Sequence, residues 1–103
     1  MNQEQAIYNL LGLAARARKI VTGEEQVIKE VRGQNAKLII LSTDASKNTR
    51  KKMQDKCKSF NVELHEFATR DLLGHAIGRE ARVSVAIMDS GFAKKLSELL
   101  NEI

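Results

Sequence analysis

The sequence has no proline and no tryptophan, one tyrosine, three phenylalanines and one cysteine. With so few rings, any core it buries must be built from aliphatic side chains. A single thiol, Cys57, excludes an intramolecular disulfide framework and any multi-cysteine metal site. No apolar run approaches membrane-spanning length, and no charged-then-apolar leader opens the chain, so a reduced, cytoplasmic protein with no membrane partner is expected. Linker-like Pro/Gly/Ser stretches, internal repeats and low-complexity tracts are missing as well.

What is present suits one globular domain spanning residues 1–103: 43% of residues are hydrophobic and 29% charged. The net charge of +4 is unevenly placed. The window 43–60, "TDASKNTRKKMQDKCKSF", holds six basic and two acidic residues, and the remainder balances 11 against 11. Such asymmetry points to a polyanionic partner or, more simply, to a solvated helix face.

Hydrophobic spacing gives an alternating order of elements. Ile7, Leu10, Leu11 and Ala14 mark an amphipathic helix over Asn2–Ala17. "KIVTG" reads as a short strand and turn. A helix over Thr22–Arg32 follows, with Val27, Ile28 and Val31 inside. "KLIILS" is a continuous apolar run of the kind found in central strands buried on both faces, and "VSVAIM" reads as a second central strand. Between them, Ser46–Phe60 predicts a helix with Thr49, Met53, Cys57 and Phe60 as its inner stripe. "VELHEF" predicts an edge strand with Val62, Leu64 and Phe67 inward and His65 outward. Thr69 is a candidate N-cap for a helix through Leu72, Leu73, Ala76 and Ile77 that ends at Gly78. Asp89 or Ser90 caps a last helix whose face is Phe92, Leu96, Leu99, Leu100 and Ile103. The expected fold class is α/β: a three-layer α/β/α sandwich around a small, four-stranded, mixed sheet.

Catalytic chemistry leaves little trace. His65 and His75 fall in different elements, with no further ligand at a metal-like spacing. Cys57 sits on an apolar stripe, which favours an inert buried thiol over a reactive one. "GHAIG" does not follow a strand and is no phosphate-binding loop; it fits a helix end and a tight connection. No catalytic residue, cofactor, metal or small-molecule substrate is expected.

The stretch "TGEEQVIKEVRG" places carboxylates at a helix N-terminus, where unpaired N–H groups and the dipole favour anions. Thr22 and Glu25 have the spacing of a capping box, which favours a structural role for that glutamate. Gln26 and Lys29 share one side of the helix and are not explained by capping.

Taken together, "TGEEQVIKEVRGQNAKLIILSTDAS" and "LGHAIGREARVSVAIMD" resemble the kink-turn RNA-binding ribosomal-protein family of the L-seven-Ae and L-thirty-e type. The likeness is nearest to its short bacterial YlxQ-like branch and runs from about Ile7 to Asp89. It implies an α/β/α sandwich that binds a sharply bent RNA in which a bulge abuts sheared G·A pairs. It also implies a grip by the N-terminus of the second helix and the loop before the last strand. Carried over by position, the family's glycine falls on Gly23, its Asn-Glu pair on Glu25 and Gln26, and its lysine on Lys29. The loop that packs on a bulged nucleotide falls on Arg79, Glu80 and Ala81. Arg79 stands where the family has an aliphatic residue, which suits phosphate contact or stacking. Arg32 joins this set, and Arg16 and Lys19 are candidates for further phosphate contacts.

The expected partner is therefore structured RNA, a kink-turn and possibly ribosomal RNA. The basic helix over 46–60 is read as a solvated face, with a steering or second-contact role as the alternative. Two rivals remain: a protein-interaction module on the same scaffold, and a small enzyme using Cys57 or His75.

Overall fold

A computed structural model describes residues 2–103. Helices and strands alternate as α1 (Gln3–Arg16), β1 (Ile20–Thr22), α2 (Glu24–Arg32), β2 (Leu38–Leu41), α3 (Lys47–Ser59), β3 (Glu63–Glu66), α4 (Arg70–Ala76), β4 (Ser84–Ile87) and α5 (Ser90–Asn101). The sheet order is β1-β4-β2-β3. β4 pairs antiparallel with both β1 and β2, and β2 pairs parallel with β3.

The two runs richest in apolar residues form the central strands, because only that position buries both faces of a strand; Ser84 is the one polar residue buried within them. Every residue of β2 and of β4 is buried. One face carries Ile7 and Leu11 of α1, Leu73 of α4 and Leu96 and Leu100 of α5, packed on Leu38, Ile40, Val85 and Ile87. The other carries Val27 and Val31 of α2 and Met53 and Cys57 of α3, packed on Ile39, Leu41 and Ala86. The result is the expected α/β/α sandwich.

Four expectations change in detail. Leu72 is 50% exposed, because the short α4 turns Leu73 and Ile77 inward instead. Ile103 lies beyond the end of α5 and is 61% exposed. Phe67 follows β3 and crosses to the opposite cluster, where its ring meets Tyr8 at 5.3 Å, so it shares no face with Val62 and Leu64. His65 does not point outward; it is half-buried and pairs with Glu63, which also accepts from the Ser97 hydroxyl of α5.

Helix ends are closed mostly by short local signals. Asn2, Ser46, Thr69 and Asp89 each accept a backbone N–H in the first turn of α1, α3, α4 and α5. At the other end of α1, the Arg18 N–H bonds Ala15 O and the Lys19 N–H bonds Ala14 O. This paired closure puts Arg18 at φ 59°, where glycine is the usual residue and another side chain costs about 1–2 kcal/mol.

Candidate nucleic-acid interface

The pairings make β1, β2 and β3 run in one direction, with β4 against them. Each of those three strands passes into a helix at its carboxyl end. The N-termini of α2, α3 and α4 therefore gather at one rim of the sheet, where the chain also enters β4.

Here the α2 cap departs from the expectation. The N-cap is Gly23 at φ 94°, and no side chain caps the helix. Thr22 ends β1, and its hydroxyl accepts from Arg82 Nε at 3.3 Å, so the Thr22–Glu25 capping box does not form. Glu24 instead turns toward α3, accepting from Lys52 Nζ and Thr49 Oγ1 at 3.0 Å each. Those two donors, Lys52 foremost, hold its carboxyl below the usual glutamate range. Glu25, Gln26 and Lys29 are exposed, with no capping duty left for Glu25.

The segment before β4 folds back along α4. The Arg79 N–H bonds Gly74 O, and the Arg82 N–H bonds Arg70 O. This close return needs a glycine: a Cβ at Gly74 would lie 1.9 Å from Glu80 O. Arg82 then clamps the turn, its Nη1 donating to Ala81 O at 2.9 Å and to Glu80 O at 3.4 Å.

Two recesses flank this returning segment. The first, of about 530 Å³, brings Gly23 and Glu24 at the α2 tip together with Ala81 and Arg82, and reaches Thr49 and Arg70. The second, of about 560 Å³, lies on the α1 side and is bordered by Arg16, Arg18, His75 and Arg79. Of the predicted residues, Gly23 and Ala81 thus share one recess, while Arg79 belongs to the other. Glu25, Lys29 and Arg32 border a shallower groove between α2 and α3. Gln26, Lys19 and Glu80 are exposed and line none of these.

Sequence reasoning missed Arg82 and Arg18, and gave Thr22 a capping role in place of its bond to Arg82. Arg82 was one position past the aligned loop, and nothing in its spacing shows that it holds that loop. Ion pairs join Arg50 to Glu66, Lys52 to Glu24, His65 to Glu63 and Arg70 to Asp44. Among the described residues none involves Arg16, Arg18, Lys19, Lys29, Arg32, Arg79 or Arg82. The same holds for Lys37, Lys47, Lys51, Lys56, Lys58, Lys94 and Lys95, while Arg82 directs its donors within the chain to Thr22, Glu80 and Ala81.

Cys57 is buried among the α3 packing residues, and burial pushes its thiol up to about 11. It is therefore protonated at neutral pH and shielded from reagents. Native protein treated with a thiol reagent at pH 8 is expected to label far more slowly than protein unfolded in urea. Equal rates would return Cys57 to consideration as a nucleophile. Among the described residues no group of three or more His, Cys, Asp or Glu is placed to hold a metal ion, and no helix is long and apolar enough to cross a membrane.

Comparison with known proteins adds independent findings. A family model described as the ribosomal protein L7Ae/L30e/S12e/Gadd45 family matches residues 5–97. The RNA-binding protein YlxQ of Bacillus subtilis (strain 168) is 54% identical over 94 residues, covering 91% of this chain and 94% of that one. Its Enterococcus faecium namesake is 41% identical over 99 residues, covering 96% and 94%. Among solved structures, a Bacillus halodurans protein described as of unknown function superposes with TM-score 0.91 at 46% identity, covering 92% of this chain and 96% of its own. A Giardia lamblia 15.5kD RNA binding protein superposes with TM-score 0.83 over 98% of this chain and 87% of its own; at 18% identity it speaks for the fold alone.

Proposed function

The chain belongs to the ribosomal protein L7Ae/L30e/S12e/Gadd45 family, and from that premise we propose that it binds RNA, recognising a kink-turn or a similar bent RNA that contains G·A pairs. It acts as a single domain, without catalysis, in a ribosomal or other translation-associated setting in the cytoplasm. The observation that carries this reading is the meeting of the uncapped α2 tip with the Ala81–Arg82 turn in one recess.

The chemistry of that rim suits bases as well as phosphates. Free N–H groups at the start of α2 offer donors, and Gly23 leaves open space above them. Gln26 can donate and accept, whereas ionised Glu25 accepts only, as an exposed amino group on a base edge requires. Lys29 and Arg32 supply phosphate attraction from the same helix. Glu80 and Ala81 present a short turn against the recess. Mechanistically, the protein binds the kinked form of the RNA more tightly than the extended form and so shifts the population toward it.

The test compares a kink-turn RNA with a copy whose G·A pairs are replaced by Watson–Crick pairs, at one salt concentration. The kinked RNA is expected to bind at least about tenfold more tightly. Equal affinities would leave only a non-specific basic binder. Within the same series, Lys29→Ala is expected to weaken binding and to reduce the slope of log affinity against log salt by about one. An unchanged slope would move the phosphate contacts elsewhere.

A further inference from the structure

We propose that the recess on the α1 side of the 78–82 turn is a second RNA seat, in which Arg16, Arg18 and Arg79 hold the phosphodiester backbone of the same bent RNA. This rests on the reading above and extends it. The turn would lie between two stretches of RNA, one at the α2 tip and one at the arginines.

Three separate segments bring the guanidiniums together: the last turn of α1, the closure that follows it, and the α4–β4 turn. The recess they border is lined by no carboxylate; Ile20 and Ile77 supply apolar wall. None of the three arginines has an ion pair or a side-chain hydrogen bond among the described residues, and all three are exposed. The other basic surface, along α3, differs in carrying a carboxylate: Asp55 lines its groove, and Lys52 and Arg50 are paired, although Lys47, Lys51, Lys56 and Lys58 form no ion pair among the described residues.

Clustered like charges repel one another and are held here without internal compensation, which is the arrangement a polyanion relieves. Guanidinium forks match phosphate oxygens in a bidentate manner, so three of them at one recess favour a phosphate chain over a single carboxylate. Position 18 offers a way to test the charge apart from the fold, although Gln34, Asn61 and Ala68 share its positive φ. Arg18 occupies a left-handed closure that glycine would fill with less strain. Local folding therefore gives no reason for arginine at that point.

The experiment uses the full chain with Arg16→Gln, Arg18→Gly and Arg79→Gln, singly and combined, against the kink-turn RNA and its Watson–Crick copy. The triple variant is expected to bind the kink-turn at least about tenfold more weakly, with the salt slope reduced by about two to three. It should still prefer the G·A-containing RNA, because the α2 tip is untouched. Backbone footprinting should lose protection at one run of phosphates only. Arg18→Gly alone should weaken binding while leaving the melting temperature equal or higher, an outcome that a merely structural arginine would not give.

An unchanged salt slope and footprint in the triple variant, with G·A preference intact, would overturn the second seat and leave the primary reading standing. Loss of G·A preference in the unmodified chain would overturn the primary reading instead, and the second seat with it. Competition by inorganic phosphate or an acidic peptide at the arginines, with RNA affinity unaffected by their removal, would likewise overturn the proposal and assign the recess to another anion.

Discussion

Gly74→Ala is expected to destabilise the protein and to abolish most of its RNA affinity, although alanine is the better helix former. Alanine in place of glycine inside a helix ordinarily gains about 1 kcal/mol. Here the new Cβ would sit 1.9 Å from Glu80 O and 2.6 Å from its carbonyl carbon, both backbone atoms that no rotamer change can clear. A methyl forced against fixed backbone atoms belongs at the upper end of overpacking costs, about 3 kcal/mol, which leaves a net loss of about 2 kcal/mol after the gain in propensity. For a domain of this size that corresponds to a melting temperature lower by roughly 5–15 °C. The backbone must move exactly where Glu80 and Ala81 approach the α2 tip, so binding should fall further than stability alone explains. A Gly74→Ala protein as stable as its parent, with unchanged affinity, would show that the turn does not return along α4 as described.

Arg82→Met should separate the two effects more cleanly. The methionine keeps the apolar stem but removes donors to Thr22 Oγ1, Ala81 O and Glu80 O. Only the Ala81 contact, at 2.9 Å, has the length of a strong bond. Arg82 is half-buried, so water replaces part of what is lost, and a stability cost of about 1 kcal/mol is expected. RNA affinity should drop by about tenfold or more, because the turn is no longer held against the end of β1. Arg82→Lys should behave similarly, since one ammonium cannot serve three separated acceptors in a fork. Calorimetry and a binding isotherm on the same samples decide the matter: affinity that falls only in proportion to stability would remove Arg82 from the interface.

Much of the architecture was legible because it follows from local rules. The runs at Leu38–Leu41 and Ser84–Ile87 could bury both faces only at the centre of a sheet, and that is where they lie. Thr69 caps the helix expected to follow it, and of Asp89 and Ser90 it is Asp89 that caps the last one; Ser46, expected as the first helical residue, proves to be the cap of α3. Cys57 is buried, as its stripe implied. The capping box failed for a tertiary reason. Thr22 is drawn into β1 and bonded by Arg82, sixty positions away, while Glu24 is recruited by Thr49 and Lys52 of α3. No window of neighbouring residues contains those partners.

The candidate site divides along the same line. From the order of residues alone came an aliphatic α/β/α sandwich, the family likeness, and the choice of the α2 start and the segment before β4 as the candidate site. Those depend on short-range periodicity, on turn chemistry and on motif spacing, all of which the linear chain carries. Folding decided which groups face one another: Ala81 and Arg82 beside Gly23, and Arg79 on the far side of its own turn with Arg16 and Arg18. The reason is geometric. A return along α4 moves residues 79 and 82 to different ends of that helix, and only the pairing of β4 between β1 and β2 fixes where the return stops.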